Sequence, residues 1–313
     1  MAGLAESIPI FTGINNRRPG RLTTLGAYSK RHMKNHEAVG KSLSTLLMES
    51  LHDVRHLLKL LRKKTDEQAV HRLRLVIKRL RVILAVLRQM DEGRKKTHRL
   101  HRSLRNLFLC AGQLRDVQVV VGLIASKPWG DVPLQIMDVE GSLKKADRKF
   151  RDCIAAQHGN AFRASKSLQK WLAIHPSEEV RQATIQLRDK YFHVIEQKPS
   201  EHDEDSIHDT RTALKRMVEL DKICSMLGYN ILNANEVQGA KALAKDIGDW
   251  HDLQMMTQYL QSNIGHAPTH QLQHAIRKSL VLLKQQQVDT CQVLGKDIQE
   301  WVIKVRSSFL PAS

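Results

Sequence analysis

AVHRLRLVIKRLRVILAVLR, residues 69–88, is the stretch that decides the fold class. At about 100° of rotation per residue it forms a helix whose Leu, Ile and Val side chains share one face. The other face carries an unbroken basic stripe, made of His71, Arg74, Lys78 and Arg81. Like charges at these spacings repel by about a few tenths of a kcal/mol per pair, and no acid is interleaved. The stripe is therefore either a solvated face or a surface for a polyanion.

A second copy of the pattern occurs in IHDTRTALKRMVELDKIC, residues 207–224. The matched residues are His71 with His208, Arg74 with Arg211, Lys78 with Lys215 and Arg79 with Arg216. Val218 replaces Arg81, so the second stripe is shorter. The recurrence favours the polyanion interpretation over a solvated face.

The repeat continues downstream, where residues 105–120 align with residues 241–256. The matched pairs are Gly112 with Gly248 and Asp116 with Asp252. We expect each glycine to break the helical pattern and each aspartate to cap the short helix that follows, because Asp is a favoured N-cap. The alternative is a carboxylate that orients a ligand-binding arginine. Two halves with the same helix order imply a pseudo-symmetric helical bundle.

Further basic side chains recur at helical spacing on a helix predicted over 41–64, on one over 95–111 and on the segment 241–247. They are His52, Arg55, His56 and Lys59 on the first, His98, Arg102 and Arg105 on the second, and Lys241 and Lys245 on the third. A single stripe is more often a solvated face, but several on one chain favour a shared binding surface.

Composition supports an acidic partner. The 313 residues include 50 Lys and Arg against 32 Asp and Glu, for a formal net charge of +18 and a pI of about 9.9. Such a balance is typical of proteins that meet nucleic acid, a phosphate polymer or a membrane surface. Aromatic residues make up only 4%, which counts against single-stranded nucleic acid, since its bases usually stack on rings.

No segment alternates in polarity as a strand would, so the predicted fold is all-α. Residues 1–23 are expected to be irregular. The domain is predicted over 24–313, with halves 24–175 and 176–313 that meet at His175-Pro176. The four cysteines form no CxxC pair, which indicates reduced thiols in an intracellular protein. We find neither a secretory signal nor an apolar run of the roughly 20 residues that would span a bilayer.

Taken together, these motifs resemble the CHAD domain, a conserved-histidine α-helical domain. The resemblance rests on His-x-x-Arg-x-x-x-Lys/Arg-Arg followed about 45 residues later by Leu/Trp-Arg/His-Asp, which is present twice and covers roughly 30–310. It implies two four-helix bundles related by a pseudo-twofold axis, with a basic groove or pore between them. It also implies binding of inorganic polyphosphate, with His71, Arg74, Lys78, His208, Arg211 and Lys215 in the basic motif. The catalytic domain often fused to this family is not found, so binding without hydrolysis is expected.

Two other roles compete for the motif histidines. A metal site is disfavoured, because no His pair lies beside a carboxylate and the neighbours of His98 and His101 are cationic. A structural role remains open beside phosphate binding. Catalysis has little support, since no Gly-rich phosphate loop or nucleophile–base motif occurs. We therefore expect no cofactor.

The sequence leaves two classes of function. The first is a polyphosphate-binding protein in the cytoplasm, at polyphosphate granules, or in the nucleus or nucleolus of a eukaryote. The alternative is a helical protein that binds nucleic acid or an acidic partner. A helix-turn-helix or zinc-finger pattern is not found, which counts against duplex DNA.

Overall fold

Helices make up the regular structure of the residues described by the computed structural model, which are 42–126, 139–157, 165–197, 204–267 and 269–309. The helices are α1 (Leu43–Lys63), α2 (Glu67–Leu87), α3 (Gly93–Ser126), α4 (Val139–Gln157), α5 (Ser165–Ala173), α6 (Ser177–Glu196), α7 (Glu204–Met226), α8 (Ala234–Asn263) and α9 (His270–Phe309). A 3-10 turn, Ile264–His266, follows α8. The prediction of an all-α fold is confirmed.

The apolar face of α2 is buried as its sequence predicts. Asp66 caps the helix by accepting a hydrogen bond of 2.8 Å from the Ala69 N–H. The buried face consists of Leu73, Ile77, Leu80, Ile83, Leu84 and Leu87, each 0% exposed. Each such side chain stabilises the fold by about 1.5–3 kcal/mol. This burial fixes the rotation of α2 about its axis and turns the basic stripe away from the core.

The two predicted helix breaks are wrong. α3 continues through Gly112 and Asp116, and α8 continues through Gly248 and Asp252. The aspartates are therefore interior helical residues and not N-caps. Glycine inside a helix costs about 1 kcal/mol relative to Ala. In α3, burial of the surrounding residues Leu107, Ala111 and Leu114, at 0–1% exposure, offsets this cost.

Packing between helices brings the two copies of the motif together. α1 to α4 pack as sequential neighbours, and α6 to α9 do the same. Between these groups α2 packs against α6 and α7, and α3 packs against α8. Buried side chains from both groups belong to one continuous core. The α2–α7 contact therefore places both basic stripes at the same interface.

The described residues belong to one contact-defined unit, Gly40–Ser313. The predicted junction at His175-Pro176 lies between α5 and α6. The division into symmetric halves stays a prediction, and the predicted irregular segment 1–23 lies outside the described residues. Within the described ranges, none of the helices is both long enough and apolar enough to cross a membrane.

Candidate functional site

Four cations from the two copies of the motif meet at the α2–α7 interface. We call Arg74, Lys78, Arg211 and Lys215 the central cluster; all four are half-buried. Arg74 and Arg211 both lower the pKa of Lys78, after the larger effect of burial. The structure thus joins residues that are 137 positions apart in the sequence into one concentration of positive charge.

Lys215 is the most perturbed member of the cluster. Burial, followed by the charges of Arg211 and Lys78, lowers the pKa of Lys215 to about 8, and Asp252 opposes the shift only in part. Desolvation and like charges both disfavour the ammonium form. A bound anion would remove part of that penalty, because the protein's own carboxylates compensate the positive charge at this site only in part.

Two carboxylates, Asp116 and Asp252, interact with the arginines of the cluster. Burial raises the pKa of Asp116, and Asp252 adds to the increase, whereas Arg74, His251 and Arg211 lower it. Asp116 and Asp252 also oppose the downward pKa shift of Arg211. Asp116 and Asp252 therefore interact with the arginines, and Asp252 also acts on Lys215, but burial and the neighbouring cations still lower the pKa of both lysines.

The helix-interior glycines give the arginines room. A Cβ on Gly112 would stand 2.7 Å from Nη1 of Arg74, and a Cβ on Gly248 would stand 3.5 Å from Nη2 of Arg211. The first distance is shorter than a real Cβ contact, so Arg74 occupies its position only because residue 112 lacks a side chain. The second is an ordinary van der Waals contact.

Phe108 is a site residue that the sequence analysis missed. The guanidinium carbons of Arg74 and Arg81 each lie 4.7 Å from the centroid of its ring. Arg74 also donates a hydrogen bond of 3.3 Å from Nη1 to the Phe108 carbonyl. Cation–π contacts of this kind contribute about 0.5–2 kcal/mol. Phe108 lies one helical turn before Gly112, on the same face of α3. That spacing was the feature of the sequence from which a role for Phe108 at the site could have been predicted.

Arg79 makes a contact of a different kind. Its Nε donates to Oε1 of Glu219 at 3.0 Å, which forms an ion pair between α2 and α7. The matched residue of the second copy, Arg216, instead lies near Arg81 and Tyr191. Burial lowers the pKa of Arg81, and the charge of Arg216 adds to that decrease. Burial raises the pKa of Tyr191, and the charge of Arg216 opposes that increase. The two arginines therefore have unequal surroundings, and Arg79 links the two helices.

The motif histidines lie on the exposed rim of the site. Burial and the charges of Arg115, Lys78 and Arg74 lower the pKa of His71, while Glu67 opposes them. Glu67 also forms an ion pair with Arg115. In the second copy, the rings of His208 and His251 have centroids 5.6 Å apart. Within the described ranges, no group of three or more His, Cys, Asp or Glu residues could hold a metal ion.

The remaining predicted residues are exposed. Arg105 reaches the site, because its charge helps to lower the pKa of Arg81. His98 acts on His101, whose pKa burial and the nearby Arg88, Arg81 and Arg105 also lower. The other exposed residues, His52, Arg55, His56, Lys59, Arg102, Lys241 and Lys245, are not among the charges that shift the pKa values of the central cluster. The structure thus separates a central site from a wider basic surface.

Comparison with known proteins identifies the family. The chain is similar to the crystal structure of the CHAD domain from the plant Ricinus communis, with a TM-score of 0.60 and 18% sequence identity over 85% of this chain and 94% of that one. Curated proteins gave no significant match. The family model for the CHAD domain matches residues 45–261, more than half of the sequence. The chain therefore belongs to the CHAD domain family.

Proposed function

We propose that this protein binds inorganic polyphosphate at the central cluster and does not hydrolyse it. The observation that carries the proposal is the meeting of Arg74 and Lys78 with Arg211 and Lys215, half-buried and mutually repulsive. Such an arrangement destabilises the free protein, and a polyanion would relieve it. Its presence is therefore better explained by a ligand than by folding.

The chemistry of the site suits a phosphate chain. Arginine can donate to two oxygens of one phosphate, and lysine acts as a compact positive charge. The stripe from His71 to Arg81 extends for about 15 Å at the helical rise of 1.5 Å per residue. Several successive phosphates can lie along that length. A partly desolvated site strengthens each of these ion contacts relative to an exposed surface.

Nucleic acid is the rival ligand, and the site supports it less well. Bases are held by rings on which they stack. Phe108, whose ring lies against Arg74 of the cluster, already contacts two guanidinium groups. Polyphosphate has no base or sugar to recognise, so a site built from cations alone is sufficient. Membership of the CHAD family supports a polyanion as the ligand.

The proposed role is binding without turnover. The two carboxylates of the site lie in the field of Arg74 and Arg211, where they serve to position the guanidinium groups. We expect incubation with polyphosphate to release no orthophosphate above a protein-free control. Release that is lost in an Asp116→Asn variant would instead indicate a hydrolase.

Competition binding tests the proposal. Fluorescent polyphosphate bound to the full chain is displaced with unlabelled polyphosphate, duplex DNA or single-stranded DNA of equal phosphate count at one salt concentration. We expect polyphosphate to compete at least tenfold better. The affinity should also fall with salt at a log–log slope of about −4 if six cations are neutralised, at roughly −0.7 per charge. Equal competition by DNA would favour the nucleic-acid alternative, and a slope near −1 would exclude the cluster.

A further inference from the structure

A row of cations continues from the central cluster along the contact between α2 and α3. The two helices pack against each other and are joined by residues 88–92, so they run antiparallel. Arg74 lies against both Phe108 and Gly112 of α3, which fixes the faces that meet. At helical spacing, the α2 face carries Arg74, Lys78, Arg81 and Arg88, and the α3 face carries His98, His101, Arg105, Phe108 and Gly112.

The ring of Phe108 connects the central cluster with the cations beyond it. The guanidinium carbons of Arg74 and Arg81 each lie 4.7 Å from the centroid of this ring. The two arginines are seven residues apart on α2, a distance of about 10 Å along the helix axis. Since Lys78 lies between them on the same face, positive charge continues without interruption from the central cluster to Arg81.

Four cations meet beyond Phe108, at the end of α2. We call Arg81, Arg88, His101 and Arg105 the outer cluster; the first three are half-buried and Arg105 is exposed. Burial lowers the pKa of His101, and the charges of Arg88, Arg81, Arg105 and His98 lower it further. Arg88 lies about 21 Å from Arg74 along the axis of α2, at 1.5 Å per residue. The outer cluster is thus a second concentration of charge, separate in space from the first.

The arginines of the outer cluster have no carboxylate partners. Among the described residues, no Asp or Glu forms a salt bridge with Arg81, Arg88 or Arg105. Glu92, which follows α2, pairs with Lys96 at 3.7 Å instead. Like charges brought together in a partly buried place disfavour their own charged forms. An anion bound there would compensate them.

The second copy of the motif has no equivalent of the outer cluster. The repeat matches Arg81 with Val218, Arg88 with Ser225, His101 with Val237 and Phe108 with Ala244, and keeps a cation only where Arg105 matches Lys241. Val218 and Ala244 are buried, so these positions of the second copy contribute to the core. The cations beyond the central cluster therefore continue along α2 and α3, and not along the matched helices α7 and α8.

We propose that the outer cluster is a second subsite for the polyphosphate chain bound at the central cluster, so that the bound chain extends in one direction, along α2 and α3 to Arg88. This inference rests on the proposed function and adds a direction and a ligand class, namely chains long enough to cover both clusters. Tripolyphosphate is too short to span about 21 Å. A long chain held at the central cluster meets the outer cluster at high effective concentration, and so gains its contacts.

Titration of the full chain with long-chain polyphosphate and with tripolyphosphate tests the proposal. Arg88→Gln with Arg105→Gln removes two outer cations and leaves the contact of Arg81 with Phe108 intact. We expect this variant to bind the long chain at least tenfold more weakly and tripolyphosphate within twofold of the wild type. Its log–log salt slope for the long chain should be less steep by about 1.4, for two charges at roughly 0.7 each.

Arg277→Gln with Lys278→Gln, on exposed positions of α9, controls for the loss of two charges and should change neither affinity by more than twofold. Circular dichroism checks that the helices persist. An equal loss of long-chain affinity in the control would show that total charge governs binding, and would refute the outer subsite. Equal losses for both ligands in the outer variant would also refute it, because the residues would then act through the central cluster.

The aligned pair Arg105 and Lys241 tests the direction, with single substitutions at exposed positions that leave the core unchanged. Arg105→Gln should make the long-chain salt slope less steep by about 0.7, whereas Lys241→Gln should leave it unchanged. Equal effects would refute a chain that extends in one direction. A wild type that binds neither ligand would refute the proposed function itself, whereas unchanged long-chain binding in the outer variants would refute the outer subsite alone.

Discussion

Nη1 of Arg74 lies 2.7 Å from the position that a Cβ on Gly112 would occupy. In the second copy of the motif, the corresponding distance from Gly248 to Nη2 of Arg211 is 3.5 Å. The same pair of residue types thus holds a guanidinium against a neighbouring helix in both copies, but only the first requires a glycine. Alanine substitutions at the two positions can therefore be compared directly, one with a close contact to an arginine and one without.

Gly112→Ala is expected to weaken polyphosphate binding by about threefold to tenfold. The new methyl group displaces the end of the Arg74 side chain, which can move at little cost, and so shifts the guanidinium away from its place in the cluster. The fold should be retained, because Ala favours a helix interior by about 1 kcal/mol over Gly. Fluorescence titration measures the affinity, and urea denaturation measures the free energy of unfolding.

Gly248→Ala is the control for that substitution. It adds the same methyl group to a helix interior, at a distance that is an ordinary contact, so the affinity should change by less than twofold. Equal losses in both variants would show that helix stiffness, and not the position of Arg74, controls binding.

The pKa of about 8 at Lys215 predicts that polyphosphate binding takes up a proton near pH 8. About half of Lys215 is neutral there in the free protein, and a bound polyanion favours the charged form. Affinity should therefore fall as the pH rises from 7 to 9. Calorimetry in two buffers of different ionisation enthalpy measures the uptake. In Lys215→Arg the side chain stays charged, so an unchanged uptake would assign the proton elsewhere.

The same shift predicts the direction of a stability change. The pKa of Lys215 is lower in the folded chain than the ordinary value of 10.5, so the native state loses this proton before the unfolded state does. The free energy of unfolding should then rise with pH between about 8 and 10. Lys215→Met should flatten this rise and, at pH 7, stabilise the fold while weakening binding. Loss of stability in Lys215→Met would mean that the lysine serves the fold.

How far the sequence predicted this site can be judged from α2 and α3. The period of the apolar residues in α2 predicted the helix and its basic stripe correctly, because burial of one face leaves a single orientation for the other; the half-burial of the stripe against α7 was not predictable from that period. The spacing of the repeat also paired Gly112 with Gly248 correctly. The sequence did not predict the role of these glycines, because glycine most often interrupts a helix. The need for a residue without a side chain at 112 arises only from Arg74, which lies on another helix.

The ion pair of Arg79 was equally inaccessible to sequence reasoning. Arg79 and Arg216 occupy matched positions, so the motif assigned both to ligand binding. Their difference comes from Glu219, which has Val82 as its counterpart in the first copy and which reaches Arg79 only across the α2–α7 interface. Local pattern identifies charged faces, whereas the partners of those charges depend on packing.

We therefore expect Arg79 to contribute mainly to stability. Arg79→Gln should lower the free energy of unfolding by about 0.5–1 kcal/mol, the usual size for a partly exposed ion pair. Arg216→Gln, at the matched position, should cause no loss. A double-mutant cycle of Arg79 with Glu219 isolates the pair, and a coupling near zero would contradict the structural role.

His71 should give polyphosphate binding a second pH dependence, at lower pH. Burial and its cationic neighbours keep the pKa of His71 below the ordinary 6.5, so the neutral form of the ring predominates at pH 7. A bound polyanion favours protonation, so affinity should rise as the pH falls from 7 to 5.5. His71→Gln should reduce that rise, whereas His52→Gln on α1 should not. Identical profiles for both variants would assign His71 to structure.

The central cluster predicts that both copies of the motif serve one ligand. Because Lys78 and Arg74 interact with Arg211, a single phosphate chain at the interface would contact both helices at once. Arg74→Gln with Lys78→Met removes the two cations that α2 contributes to the cluster, and Arg211→Gln with Lys215→Met removes the two that α7 contributes. Neutral substitutions are chosen because a new acid at 74 or 211 would face Asp116 and Asp252. Circular dichroism checks that the helices persist.

Either double variant should lower the affinity at least tenfold and leave the stoichiometry of the remaining binding unchanged. A hydrogen bond to a charged group contributes about 1.5–3 kcal/mol, so the loss of two such contacts is enough to lower the affinity at least tenfold. The pair Arg55→Gln with Lys59→Met, on exposed positions of α1, controls for the loss of two charges and should have a much smaller effect. Separate sites on the two halves would instead leave half the stoichiometry at near-normal affinity. That outcome would refute the shared site while preserving the assignment of polyphosphate as the ligand.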